Sequence, residues 1–145
     1  MHIIREDDLI ASIAEGLQYI SYFHPPDFVR AMSAAWEREE NPGAKQAVAQ
    51  ILVNSRMCAL GRRPICQDTG SILFYVDCPV GMNQVEFAQE SREAVKEATK
   101  LGYLRQNSVD SVTGKNDGPN LGPGSPNLHF HQHTSDDISV RLVLK

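Results

Sequence analysis

The 145 residues make about one domain, and 41% hydrophobic and 22% charged content are those of an ordinary globular chain able to bury a core. A net charge of −4 with no run of Lys or Arg argues against nucleic acid or anionic membrane as partners, and no apolar stretch approaches the ~20 residues that span a bilayer. The amino terminus turns acidic at once (Glu6-Asp7-Asp8), unlike a signal peptide, and three cysteines, an odd number, point to a reducing cytoplasm rather than a disulfide framework.

In chain order the pattern is helical first. Leu9, Ile13, Leu17 and Ile20 recur at helical spacing behind an N-cap at Asp7 or Asp8. Pro25-Pro26 breaks that helix, and Pro26 opens a second one with an apolar stripe of Phe28, Met32, Ala35 and Trp36. Asn41-Pro42-Gly43 stops it. A third helix over roughly 44–60 carries Val48, Ile51, Leu52 and Cys58, with Gly61 as its C-terminal punctuation.

The character then changes. Ile72-Leu73-Phe74-Tyr75-Val76 is apolar at every position, as for a strand over roughly 71–77 buried on both faces, ended by Cys78-Pro79-Val80-Gly81. A helix over roughly 84–101 turns Val85, Ala88, Val95 and Ala98 inward and stops at Gly102. Residues 107–127 hold four glycines and three prolines, and a loop of that length in a compact domain is expected either to bind something or to be disordered. Two alternating runs, 128–133 and 138–144, are separated by Ser135-Asp136-Asp137 and read as a hairpin, with Ile138, Val140, Leu142 and Leu144 on one face. The expected fold is α+β: a single domain over 1–145, whose helical part (1–62) forms an amino-terminal layer on a small mixed or antiparallel sheet within 63–145. Ending in Val143-Leu144-Lys145, inside a strand pattern, reads as an amino-terminal fragment with an unpaired, association-prone edge.

The chemistry concentrates in Arg63-Pro64-Ile65-Cys66-Gln67-Asp68-Thr69-Gly70, between the third helix and the first strand. A thiol, an amide, a carboxylate and a hydroxyl stand side by side there and end in Gly, where backbone can approach a ligand closely. The plain reading of Cys66 is a buried, inert thiol, but such a thiol needs no polar neighbours. Cys58 and Cys78 match no common zinc spacing and read as structural. His129, His131 and His133 alternate on one strand face, a spacing compatible with a mononuclear metal but more simply a solvated polar face. Lys115-Asn116-Asp117-Gly118 is either an anion-holding turn or an ordinary surface turn, and Arg105, Gln106 and Asn107 carry the same suggestion more weakly. His24, before Pro25-Pro26, reads as a helix-boundary residue.

At this octapeptide the sequence resembles class I fumarate hydratase, the iron–sulfur type, and more distantly the α-subunit of L(+)-tartrate dehydratase. The resemblance extends to Tyr19-Ile20-Ser21-Tyr22-Phe23-His24-Pro25, to Gln50 through Cys58, and to Gly102-Tyr103-Leu104-Arg105, Lys115-Asn116 and Leu128-His129 in the same order. It implies a 4Fe–4S cluster held by three cysteines, with the fourth iron open to the substrate's carboxylate and hydroxyl and acting as a Lewis acid. Cys66 would be the first cluster ligand and the only one of the three in this chain. Gln67 and Asp68 would contact a dicarboxylate, with Asp68 the catalytic acid/base, and Lys115 and Asn116 would bind substrate. The resemblance further implies a cytoplasmic homodimeric lyase at the fumarate–malate step of the tricarboxylic acid cycle, needing the remainder of the enzyme and inactive as this piece alone. Two features depart from the family pattern: Gly114 stands where many members place an Arg, and the Asn-Leu-Gly-Pro-Gly-Ser-Pro run is longer than the usual turn. The alternatives are a tartrate dehydratase α-subunit portion and a non-catalytic binding or assembly module.

Overall fold

The computed structural model describes residues 6–66, 71–110, 112–116, 118–122 and 124–145. Its elements are α1 (Glu6–Tyr22), α2 (Pro26–Arg38), α3 (Pro42–Gly61), β1 (Ile72–Pro79), α4 (Gln84–Lys100), β2 (Asn127–His133) and β3 (Ser139–Leu144), an α+β fold. They divide into two compact units: α1 as far as Ile20 with everything from β1 onward, and Ser21 through Cys66.

The first unit is built on a mixed sheet of order β2-β1-β3. β1 pairs with β2 in parallel (Tyr75 opposite His129, Asp77 opposite His131) and with β3 antiparallel (Phe74 opposite Leu142). The expected hairpin between the last two runs therefore does not form. Alternation shows that each run has an inner and an outer face, but it does not choose the neighbour. The long route from β1 through α4 to β2 supplies a parallel partner, which a tight turn cannot.

Even-numbered residues of β1 (Ile72, Phe74, Val76, Cys78) are buried with Ile13 and Leu17 of α1 and with Phe87, Ala94, Val95 and Ala98 of α4. Phe87 meets Phe130 of β2 edge-on, with ring centroids 6.0 Å apart. The expectation that β1 is buried on both faces is corrected: burial alternates along the strand, and Tyr75 on the outer face is 40% exposed. Val85, expected inward on α4, is exposed, because the buried stripe runs through Phe87, Ser91, Ala94, Val95, Ala98 and Thr99. Helix α1 comes close to β3 at Gly16, where an added Cβ would lie 2.9 Å from Leu142 Cδ1. Asp7 and Asp8 lie within α1 rather than before it as an N-cap.

The second unit pairs α2 with α3. Pro25 and Pro26 start α2 as expected, but α2 has no buried residue and Trp36 is exposed, with Lys45 Nζ 5.1 Å from its ring centroid. Asn41 caps α3, its side chain accepting from Gly43 N (2.9 Å) and Ala44 N (3.1 Å), so α3 begins at Pro42. Of the apolar residues that mark α3, Cys58 is buried and Ile51 is exposed. The left-handed C-cap is Arg62 (φ 48°) rather than Gly61, its N–H bonding to Cys58 O.

Candidate functional site

The cysteine-bearing segment is set up by the way α3 ends. Arg62 and Arg63 both bond back to the Cys58 carbonyl, the latter at 3.1 Å. Ile65 is then buried and donates its N–H to Ser21 O at 2.8 Å. These contacts fix the backbone up to Cys66 and leave its thiol exposed. Gln67 and Asp68, with Thr69 and Gly70, lie outside the described residues.

Cys58 and Cys78 behave differently. Both are buried; the Cys58 thiol is in reach of Asn54 Oδ1 (3.6 Å) and Pro64 O (3.8 Å), and burial, then the Asp77 charge, push the Cys78 thiol pKa up. Of the three cysteines only Cys66 is exposed, so the donor set fits one ligand of an iron–sulfur cluster, Cys66. Among the described residues no three His, Cys, Asp or Glu are grouped to hold a metal ion.

His129, His131 and His133 do line the outer face of the sheet. His129 stacks on Tyr75 (centroids 4.9 Å, 14° between planes), His131 Nδ1 lies 3.2 Å from Asp77 Oδ1, and His133 Nδ1 is hydrogen-bonded to Ser135 Oγ at 2.8 Å. The first two are cross-strand pairs on an exposed surface.

Lys115 and Asn116 sit on a tight turn in the other unit from Cys66. Asp110 organises the turn, its carboxylate accepting from Val112 N (3.0 Å), Thr113 N (2.6 Å) and Thr113 Oγ1 (2.8 Å). These hydrogen bonds, led by that from Thr113 N, hold the Asp110 pKa below the usual carboxylate range. Asp110 N donates to Lys115 O at 2.9 Å, and Val109 and Asn116 form a short antiparallel bridge. Gly114 has φ +67°, so an Arg there would strain this turn. The Lys115 side chain is exposed, whereas the Asn116 amide is engaged at both ends: Nδ2 donates to Gln106 O and Oδ1 accepts from Gly118 N (2.8 Å).

Sequence reasoning missed the residue that anchors this loop. Asn120 is 2% exposed, with φ +59°. Its Nδ2 donates to Thr99 Oγ1 (3.1 Å) and Arg105 O (2.9 Å), and its Oδ1 accepts from Asn107 N (3.1 Å) and Ser108 N (3.2 Å). The signal was an Asn inside a Gly/Pro run, the residue type besides Gly that tolerates a left-handed backbone. Next to the anchored segment lies a cleft of about 400 Å³ whose polar lining includes Ser71, Asn107, Ser108, Ser125, Asn127 and Lys145. Ser71 is the first described residue after the octapeptide.

The family model for fumarate hydratase (Fumerase) matches residues 10–145. The chain belongs to the fumarate hydratase family. It is 46% identical over 123 residues to a Geobacillus stearothermophilus protein provisionally described as a class I fumarate hydratase, covering 83% of this chain and 24% of that protein. It is 30% identical over 115 residues to the L(+)-tartrate dehydratase subunit alpha of Escherichia coli K12, covering 79% of this chain and 38% of the subunit. A Methanocaldococcus jannaschii protein provisionally described as that subunit is 27% identical over 134 residues, 90% of this chain and 47% of its own length. The chain thus spans about a quarter to a half of the length of these relatives. Their names denote reactions of one kind, the addition or removal of water. No helix among the described residues is long and apolar enough to cross a membrane.

Proposed function

We propose that this chain is the amino-terminal part of an iron–sulfur hydro-lyase that interconverts fumarate and malate, and that the piece alone is inactive. The observation that carries this reading is an exposed Cys66 thiol opening Cys-Gln-Asp-Thr-Gly, in a chain whose other two cysteines are buried. The 46% identity to the Geobacillus protein favours fumarate, since the tartrate dehydratase subunits stand at 27–30%. Residues 1–145 act as a single domain, with the remaining cluster ligands supplied by the rest of the enzyme, a cytoplasmic homodimer of the tricarboxylic acid cycle.

When bound, a 4Fe–4S cluster supplies Lewis-acid polarisation of the substrate's C–O bond. Cys66 Sγ is the one ligand from this chain. Gln67 donates through its side-chain amide to a substrate carboxylate, and the Lys115 ammonium adds positive charge beside that group. Asn116 binds substrate less directly, by holding the turn that presents Lys115. Asp68 moves the proton. In the dehydration direction its carboxylate takes the proton from the carbon next to the one that loses hydroxide, and in hydration it returns that proton as water adds across the double bond.

The test uses the protein expressed from its complete reading frame and loaded anaerobically with iron and sulfide. Fumarate hydration is expected, with Asp68→Asn lowering kcat by about 10²–10⁴-fold. Dehydration of L(+)-tartrate without turnover of fumarate would replace this reading with the tartrate dehydratase subunit. No turnover of either would leave a binding or assembly module.

A further inference from the structure

The second unit contains a cleft that the hydratase reading does not use. It is an open cleft of about 410 Å³, and its walls are largely apolar: Phe23, Pro26, Val29, Leu52 and Ala59. Its polar groups are His24, Ser55, Arg30 and Arg56. All come from residues 21–66, and none is a residue assigned above to hydration chemistry.

Three observations give the cleft a chemical character. First, its lining includes two arginines and no Asp or Glu, in a chain of net charge −4. Arg30 and Arg56 are exposed and make no ion pair among the described residues. The nearest acid in sequence, Asp27, is directed to its own backbone, Oδ1 accepting from Phe28 N at 2.9 Å. Secondly, His24 is held in place. Its Nδ1 is hydrogen-bonded to Ser55 Oγ at 3.0 Å, and its ring stacks on Phe28 with centroids 4.7 Å apart. Nε2 has no hydrogen bond among the described residues. Burial lowers the His24 pKa, and a carboxylate placed beside the ring would oppose that shift. Thirdly, the volume and the mix of apolar walls with a few polar residues suit a small organic molecule.

We propose that this cleft binds a small carboxylate on a short apolar chain. The carboxylate is held by the Arg30 and Arg56 guanidinium groups beside the His24 imidazole, and the chain lies against Val29, Leu52 and Ala59. Guanidinium forks match a carboxylate in two-point geometry. The cleft is open to water, so the affinity is millimolar.

The probe is sodium butyrate, titrated into the full 145-residue chain at constant ionic strength, with the His24 Cε1–H resonance followed by NMR and assigned with His24→Gln. A saturable shift with a millimolar dissociation constant and a raised His24 pKa in the bound state are expected. Arg30→Gln and Arg56→Gln, both at exposed positions, should each weaken binding by about tenfold while leaving amide dispersion unchanged. Three results would overturn the proposal: no saturable shift, a shift insensitive to both Arg substitutions, or inorganic phosphate binding as tightly as butyrate, which would leave no role for the apolar walls. Because the readout is His24 in this chain, failure here is independent of hydratase activity.

Discussion

Replacing Asn120 with Ala tests whether one buried amide holds the loop that presents Lys115. The side chain makes four hydrogen bonds, to Thr99 Oγ1, Arg105 O, Asn107 N and Ser108 N. At about 1 kcal/mol each, with about 1 kcal/mol more for Ala at a left-handed φ, the ceiling on the loss is about 5 kcal/mol. The measured loss should be smaller, because a loop with few apolar contacts opens locally before the core does. The assay is amide hydrogen exchange at Asn107 and Ser108, with urea unfolding alongside. Asn120→Ala should lower protection at those two amides by more than about tenfold, roughly 1.4 kcal/mol, while Phe74 and Val76 in β1 change less. Asn120→Gly removes the same bonds without the backbone penalty and should recover about 1 kcal/mol relative to Asn120→Ala. Unchanged protection at Asn107 and Ser108, or Asn120→Gly faring worse than Asn120→Ala, would refute the reasoning.

Three further outcomes are expected. Iodoacetamide at neutral pH should modify Cys66 first, with Cys58 and Cys78 reacting only on unfolding; early labelling of Cys78, which burial protects, would contradict its placement. Phe74→Ala, at a fully buried site in β1, should cost about 3–5 kcal/mol in urea unfolding, and a loss below about 1 kcal/mol would contradict the core. Asp110 has a folded-state pKa below its unfolded one, so its contribution is present at neutral pH and is lost as pH falls through the folded value. Asp110→Asn should therefore flatten the acid limb of loop stability, read from exchange at Thr113; an unchanged limb would show that the hydrogen bonds there are not formed.

The helices were legible because burial on one side of a helix leaves a period near 3.6 in the sequence, as Ile13, Leu17 and Ile20 on α1 and Val95 and Ala98 on α4 show. Their ends were less so. Arg62 takes the left-handed cap that Gly61 was expected to take, since the penalty for a non-glycine residue there is small enough for surrounding contacts to override. Strand pairing was not legible at all from alternation: 128–133 and 138–144 flank a turn-like segment yet both pair with β1. Hydrophobicity of Tyr75 likewise says nothing about how many helices cover the sheet. The octapeptide stood out because its residue types are costly to place together without a chemical reason, whereas the His24–Ser55 pair joins residues thirty-one positions apart and left no local signal.

The central claim is that Cys66, alone of the three cysteines, ligates an iron–sulfur cluster in a hydro-lyase. Its most direct test is the iron and sulfide content, with fumarate hydration, of the anaerobically reconstituted complete protein carrying Cys66→Ser, Cys58→Ala or Cys78→Ala. The account predicts that Cys66→Ser abolishes hydration and lowers iron content, while folded Cys58→Ala and Cys78→Ala proteins keep both. Full activity and iron content in Cys66→Ser would contradict it.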